Sequence, residues 1–412
     1  MNSYAWIVLV ALLVGYLLQF IAARLNVLAM PQSPPPEFAD IVDIDTCKRS
    51  FAYARDKYHL QMFGATTDLV ALLVWWWWGG FNTLDIWVRS LALGEIWSGV
   101  AYISILILLG NIISIPFSIY GTFVVEERYG FNKTTPKTFI LDRIKGLVLA
   151  AMLGVPILSA ILWFFAYAGS DAWLYCWGAT TAFLLLVQYI APVWLMPLFN
   201  RFTPLADGEL KQAVLDYTTK AGFTVADIFE VDGSKRSSKA NAFFSGFGKN
   251  RRIALFDTLI KDYSTEELVA VLAHEVGHQK KRHMIQSLIF GIIHMGVMFY
   301  LMSIFISEPG LFAAFQMDMI SVYAGLTFFS FLLAPLDMVL GPILKYVSRK
   351  NEFEADSFAV QTIPDREPLI TALKKLSVDT LSNLTPHPFY VILNHSHPPL
   401  IQRIAAIKGV VA

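Results

Sequence analysis

Apolar runs of about 20 residues, the length a helix needs to cross the hydrocarbon core of a bilayer, recur along this 412-residue chain and constrain its fold more than any other feature. About 25% of the residues of an ordinary soluble domain are charged. Here 16% are charged and 56% hydrophobic, so lipid is the expected solvent for much of the surface. Seven runs qualify as spans: 4–21, 66–88, 96–123, 146–168, 174–198, 284–306 and 321–343. No Lys or Arg precedes the first, which is also long for the apolar region of a signal peptide, so it reads as a retained span. The second carries Asp68 and Asp85 near its ends, along with Trp75, Trp76, Trp77 and Trp78, an aromatic group suited to a membrane interface or to bundle packing.

Loop charge gives the orientation, because cytoplasmic loops hold the excess of Lys and Arg. The loops after spans one and three contain Arg24, Lys48, Arg49, Arg55 and Lys57, then Arg128, Lys133, Lys137, Arg143 and Lys145. Those after spans two, four and six hold Arg89 at most. The segments after spans five and seven are again basic, with Lys280, Lys281 and Arg282, then Lys345, Arg349 and Lys350. This pattern predicts an N-terminus outside and a C-terminus in the cytoplasm. The expected organisation is 1–198 for spans one to five, 199–283 for the first part of a cytoplasmic domain, 284–343 for spans six and seven, and 344–412 for its second part. Neither soluble part is large enough to bury a core alone, so the two should assemble. A net charge of zero suggests no nucleic-acid partner, and two cysteines are too few for a disulfide framework.

Within the first soluble part, 224–233, 241–247 and 251–256 read as short strands, the last two joined by a turn at Gly248, Lys249 and Asn250. Ser264 and Glu267 then form a capping box that opens a helix. That helix carries HEVGH. On it His274 and His278 are four residues apart and share a face, so both imidazoles can reach one ion, with Glu275 beside them. A catalytic zinc takes three protein ligands and a water whose pKa it lowers to about 7. Glu275 would then be the general base. Further on, Asn351-Glu352-Phe353-Glu354-Ala355-Asp356 supplies carboxylates on the same side of the membrane. Glu352 and Asp356 share a helical face, whereas Glu354 points elsewhere. We assign Glu352 as third ligand and Asp356 as a support for a ligand histidine, with one zinc ion per chain. Glu352→Gln should then impair zinc retention, whereas Glu354→Gln should be nearly silent.

HEVGH followed by NEFEAD resembles the gluzincin pattern, and the wider set resembles the type I CAAX prenyl protease family. The matching stretches are EERYGFNKTT at 126–135, LFNRFTPL at 198–205, SKRSSKANAFFSGFGKNRRIALFDTLI at 234–260 and NHSHPPLIQRI at 394–404. The resemblance implies a mainly α polytopic membrane protein. Its seven transmembrane helices would form a barrel around a large water-filled chamber, with a gluzincin-like protease domain of helices and a small β-sheet on the cytoplasmic side. It implies that Asn241 holds substrate backbone at an edge strand, and that His397 and Arg403 line the primed side of the cleft, His397 steadying the oxyanion. The plainer expectations are a turn for Asn241, an ion pair with an acidic helix for Arg403, and a structural role for His397. His395 is close enough in sequence to exchange roles with His397.

The function so implied is a zinc-dependent endopeptidase that cuts near the C-terminus of prenylated CAAX-type or other membrane-associated substrates. Its partners are a peptide or protein substrate and the lipid bilayer. Two alternatives stand beside it: a quality-control protease without prenyl specificity, and a seven-helix transporter or receptor with a structural metal site. The compact chain and its KGVVA ending favour a bacterial inner membrane over the endoplasmic reticulum. Glu95, Asn111 and His294 fall within spans and suit a hydrated interior, Glu95 alternatively the interface.

Overall fold

A computed structural model of the chain describes residues 1–31, 33–223, 225–245 and 252–409. The turn expected at Gly248, Lys249 and Asn250 lies outside the described residues. The chain opens with α1 (Ser3–Leu28), capped by Asn2, whose side chain accepts from the Ala5 amide at 3.0 Å. Then follow α2 (Ile44–Trp77), α3 (Gly80–Ser90), α4 (Glu95–Tyr120), α5 (Pro136–Tyr167) and α6 (Ala172–Ile190). Single π-helical stretches, Gly121–Glu126 and Ala191–Leu195, extend α4 and α6.

Among the described residues, five helical stretches are long and apolar enough to cross a membrane: Ser3–Leu28, Glu95–Glu126, Pro136–Tyr167, Gly169–Leu198 and His283–Phe305. Only 6% of the apolar window of Pro136–Tyr167 is buried inside the protein, so lipid must cover the rest. The pair Val322–Leu332 and Ala334–Thr362, bent by 54°, makes a sixth if it is counted as one span. Each of these overlaps one of the expected runs.

The run 66–88 departs from expectation, because it is not one helix. The helix that contains its first half starts far earlier, at Ile44, and stops at Trp77; Gly79 then takes a left-handed conformation (φ +74°) before α3 begins. A Cβ on Gly80 would sit 2.5 Å from the Trp75 ring, so the turn requires glycine there as well. Asp85 on α3 avoids lipid. It is buried, accepts from Arg89 Nε at 2.8 Å and from the Tyr323 hydroxyl. The four tryptophans divide between both suggested uses: Trp76 is buried and donates to the Ala314 carbonyl at 2.8 Å, while Trp78 is 78% exposed.

The soluble part contains β1 (Phe202–Pro204), α7 (Glu209–Lys220), β2 (Asp227–Val231), β3 (Ala242–Ser245), β4 (Arg252–Phe256), α8 (Asp257–Asp262) and α9 (Thr265–Lys280). The sheet order is β1-β2-β4-β3, with β2 and β4 parallel and both outer strands antiparallel to their neighbours. The three expected strands are present and β1 is an addition. After α10 (His283–Phe305), α11 (Pro309–Ala314) and α12 (Val322–Leu332), the long helix α13 (Ala334–Thr362) leaves the expected span 321–343 and continues into the soluble part. There α14 (Glu367–Asp379), α15 (Pro388–Asn394) and α16 (Leu400–Ile407) follow.

One hydrophobic core joins Leu205, Ile253, Leu268 and Val276 to Ala359, Leu369, Ile404 and Ile407. Residues on either side of the α10–α12 excursion therefore pack together. Phe38, Val42 and Cys47, from the connection after α1 and the start of α2, enter the same core, which the sequence does not announce.

Candidate metal centre

Helix α9 begins as its capping box demands. The Glu267 amide donates to Ser264 Oγ at 3.3 Å, and the Ser264 amide donates to Glu267 Oε2 at 2.9 Å. Its inner face packs on α13, and Gly277 makes the approach possible, since a Cβ there would meet the Ala355 backbone at 3.0 Å. Both helices thus present their polar residues across a narrow gap.

In that gap His274, His278 and Glu352 offer ligand atoms that all lie within 4.8 Å of one another. The two Nε2 atoms are 3.2 Å apart. Glu352 places Oε2 3.4 Å from His274 Nε2 and Oε1 3.3 Å from His278 Nε2. Glu352 Oε2 is buried without a hydrogen-bond partner among the described residues. Two imidazole nitrogens and an orphaned carboxylate oxygen facing one point are the donor set of a catalytic zinc, so the residues fit the ion. Burial raises the Glu352 carboxyl, yet the neighbouring His274 and His278 imidazoles outweigh it and hold the group ionised, well below the usual carboxylate range.

The ring nitrogens that face away from this point are also engaged. His274 Nδ1 lies 2.8 Å from Asp356 Oδ1, the support expected of that aspartate. Burial opposes a charge on His274, but Asp356 and Glu352 win and raise its pKa to about 9. Arg403, itself buried, clamps Asp356 through Nε at 2.8 Å and Nη2 at 2.7 Å, and its Nη1 is 3.5 Å from Glu352 Oε2. The arginine therefore makes the plainer of its two expected contacts, an ion pair with an acidic helix. His278 Nδ1 lies 3.0 Å from His283 Nδ1, and His283 Nε2 lies 3.2 Å from Glu354 Oε2. Neither His283 nor a partner for Glu354 was found by sequence reasoning; the only signal was a third histidine shortly after HEVGH.

Glu275 is half-buried at the same place, and burial pushes its carboxyl above the ordinary value, which suits a group that must accept and return a proton. His397 Nε2 reaches within 3.3 Å of Glu352 Oε1 while its side chain stays 64% exposed. Burial pulls His395 below the ordinary histidine pKa, and it sits against the Tyr390 ring, lining a separate cavity of about 430 Å³ with Lys57 and Lys239. Of the two histidines, His397 is the one at the cluster. Asn241 is exposed immediately before β3, the outermost strand on its side of the described sheet, and its Oδ1 accepts from the Ala242 amide at 2.9 Å. It makes no hydrogen bond to the histidine cluster among the described residues. Glu95 opens α4, Asn111 donates to the Ile107 carbonyl of its own helix at 2.9 Å, and His294 lies 3.9 Å from Asp337.

An HExxH helix, a carboxylate from a second helix and a set of bilayer-length helices define the class: an integral-membrane metallopeptidase. The chain belongs to peptidase family M48, which residues 204–411 match, while residues 24–201 match the CAAX prenyl protease N-terminal family of five membrane helices. It is similar to a CAAX prenyl protease 1 homolog of Arabidopsis thaliana, 36% identical over 94% of this chain and 92% of the relative. Another such homolog, from Oryza sativa, is 35% identical over 92% of this chain and 91% of the relative. The crystal structure of S. mikatae Ste24p superposes with a TM-score of 0.94 at 31% identity, covering 99% of this chain and 100% of that one. The chain is accordingly a membrane-embedded zinc metalloprotease.

Proposed function

We propose that the protein is an endopeptidase that cuts near the C-terminus of prenylated CAAX-type proteins presented from the membrane. The observation that carries this reading is the convergence of His274, His278 and Glu352 beside Glu275. The substrate class follows from the relatives' names. Membership of a peptidase family removes the transporter or receptor alternative.

Zinc held by His274, His278 and Glu352, one ion per chain, would polarise a water and the scissile carbonyl. Glu275 takes the proton of the attacking water and returns it to the leaving amine. Asp356 keeps the proton of His274 on Nδ1 and so leaves Nε2 free to ligate, and Arg403 holds that carboxylate in place. His397, exposed at the cluster, donates to the oxyanion as the carbonyl becomes tetrahedral. Asn241, beside the open edge of β3, receives the extended substrate by strand addition.

In this reading the α2–α3 pair also crosses the bilayer, making seven spans around a hydrated chamber, and the loop charges favour a cytoplasmic protease part. The division into 1–198, 199–283, 284–343 and 344–412 is kept. The relatives compared are eukaryotic and lend no support to a bacterial membrane.

The test is cleavage of two peptides that differ only in a farnesyl group on the CAAX cysteine, by purified protein in lipid nanodiscs. Faster cleavage of the farnesylated peptide, abolished in Glu275→Gln, is the expected result. Equal rates on both would move the reading to quality control of membrane proteins, and no zinc-dependent cleavage of either would end it.

A further inference from the structure

The reaction above uses neither His283 nor Glu354, yet both are tied to the centre. His283 is the first residue of α10 and 5% exposed. Five residues after His278, it returns beside that ligand because Arg282 takes a left-handed conformation, φ +61°. A non-glycine residue adopts that region uncommonly, and such strain persists only where surrounding structure enforces it. Asn351 Nδ2 donates to Gln286 Oε1 at 3.1 Å, which braces α13 against α10 beside the contact of Glu354 with His283. Lys350, 4.0 Å from Glu354 and exposed, is the other charged group that faces this carboxylate among the described residues.

We propose that His283 and Glu354 form a positioning relay for the ligand His278, an inference that rests on the zinc reading of the site. The proton inventory runs in one direction only. A His278 that ligates through Nε2 carries its proton on Nδ1. It must therefore donate to His283 Nδ1, 3.0 Å away, which fixes the His283 proton on Nε2, where it donates to Glu354 Oε2 at 3.2 Å. Reversing any member would put a proton on the nitrogen that faces the metal. His274 receives the same service directly from Asp356, whereas His278 receives it at one remove, through a second imidazole. Loss of such a partner lowers metal affinity about 10- to 100-fold.

The experiment measures zinc release into excess EDTA from full-length protein in detergent, with the visible absorption of the cobalt-substituted enzyme as a second readout. His283→Phe keeps a ring but offers no acceptor, and should release zinc at least about 10-fold faster and shift the cobalt bands. His283→Asn restores an acceptor near the Nδ1 position and should recover most of the loss. Glu354→Ala should speed release by a smaller factor in the wild-type background and add nothing in the His283→Phe background, because it acts through His283. Release within about twofold of wild type for His283→Phe, or an equal Glu354→Ala effect in both backgrounds, would overturn the relay. Should His283→Phe not fold, Glu354→Ala alone must still shift the cobalt bands. Failure of the zinc reading itself looks different: the wild-type protein would bind no zinc that His278→Ala removes.

Discussion

Gly277 and Ala355 meet backbone to backbone: a Cβ on the glycine would stand 3.0 Å from both the Cα and the carbonyl oxygen of Ala355. Because α9 carries both histidines and α13 the carboxylate, this single approach sets the distance across which the three converge. Gly277→Ala should therefore push the helices apart, with overpacking of about 1–3 kcal/mol. Thermal unfolding and zinc content measured together test it, and a variant with normal values of both would show that the gap can give.

Glu275→Gln removes the base and leaves the ligands in place. Zinc content should stay at the wild-type level while peptide cleavage falls about 100- to 10,000-fold, the usual contribution of general-base catalysis. A variant retaining full activity would remove Glu275 from the reaction.

Arg403 faces two buried carboxylates, Asp356 and Glu352. Arg403→Met leaves that charge uncompensated and should cost about 3–5 kcal/mol, the penalty for breaking a buried pair. Arg403→Lys should recover only part of it, since an ammonium cannot reproduce the two-pronged contact. Denaturation of the two variants in parallel gives the ranking, and equal stabilities would count against it.

Zinc affinity should depend on pH in a defined sense. Burial disfavours a proton on His274, but Asp356 and Glu352 raise its pKa to about 9, so below that pH the metal-free site holds a proton that the ion must displace. Apparent affinity should therefore climb about tenfold per pH unit toward that value and then level off. Competition with a chromophoric chelator reads this slope directly, and a flat profile would contradict it.

Orientation can be tested at Lys261, which is exposed at the end of α8 and, unlike Ser264, caps nothing. A cysteine placed there should react with a membrane-impermeant maleimide only from the cytoplasmic side. The native Cys47 and Cys176 are buried and should stay silent. Labelling from the outer face would invert the proposed topology.

The parts of the site legible in the sequence depend on spacing within one helix. His274 and His278, Glu352 and Asp356, and the Ser264–Glu267 box all stand three or four residues apart, and helix geometry does the rest. His283 and Glu354 escaped because their meeting requires a left-handed residue and the packing of α10 on α13. That packing gives Glu354 a partner, His283, which helix spacing alone does not supply. The partners of Asp85 come from the next turn of α3 and from Tyr323 far along the chain, and the second of these no local spacing announces. The break in the run 66–88 had a visible cue, the Gly79-Gly80 pair, which hydrophobicity outweighed. His395 and His397 were indistinguishable by type, and only the placement of the chain after α15 brings one to Glu352.

The core that seats the metal centre gathers Phe38, Val276 and Ile404, and the clamp on Asp356 comes from Arg403. A ribosome makes Phe38 before all but one of the spans, and Arg403 after every one of them. The nascent chain must thread its hydrophobic helices into the bilayer while its protease half is still missing a side. The clamp on Asp356 is therefore the last part of the centre to be made.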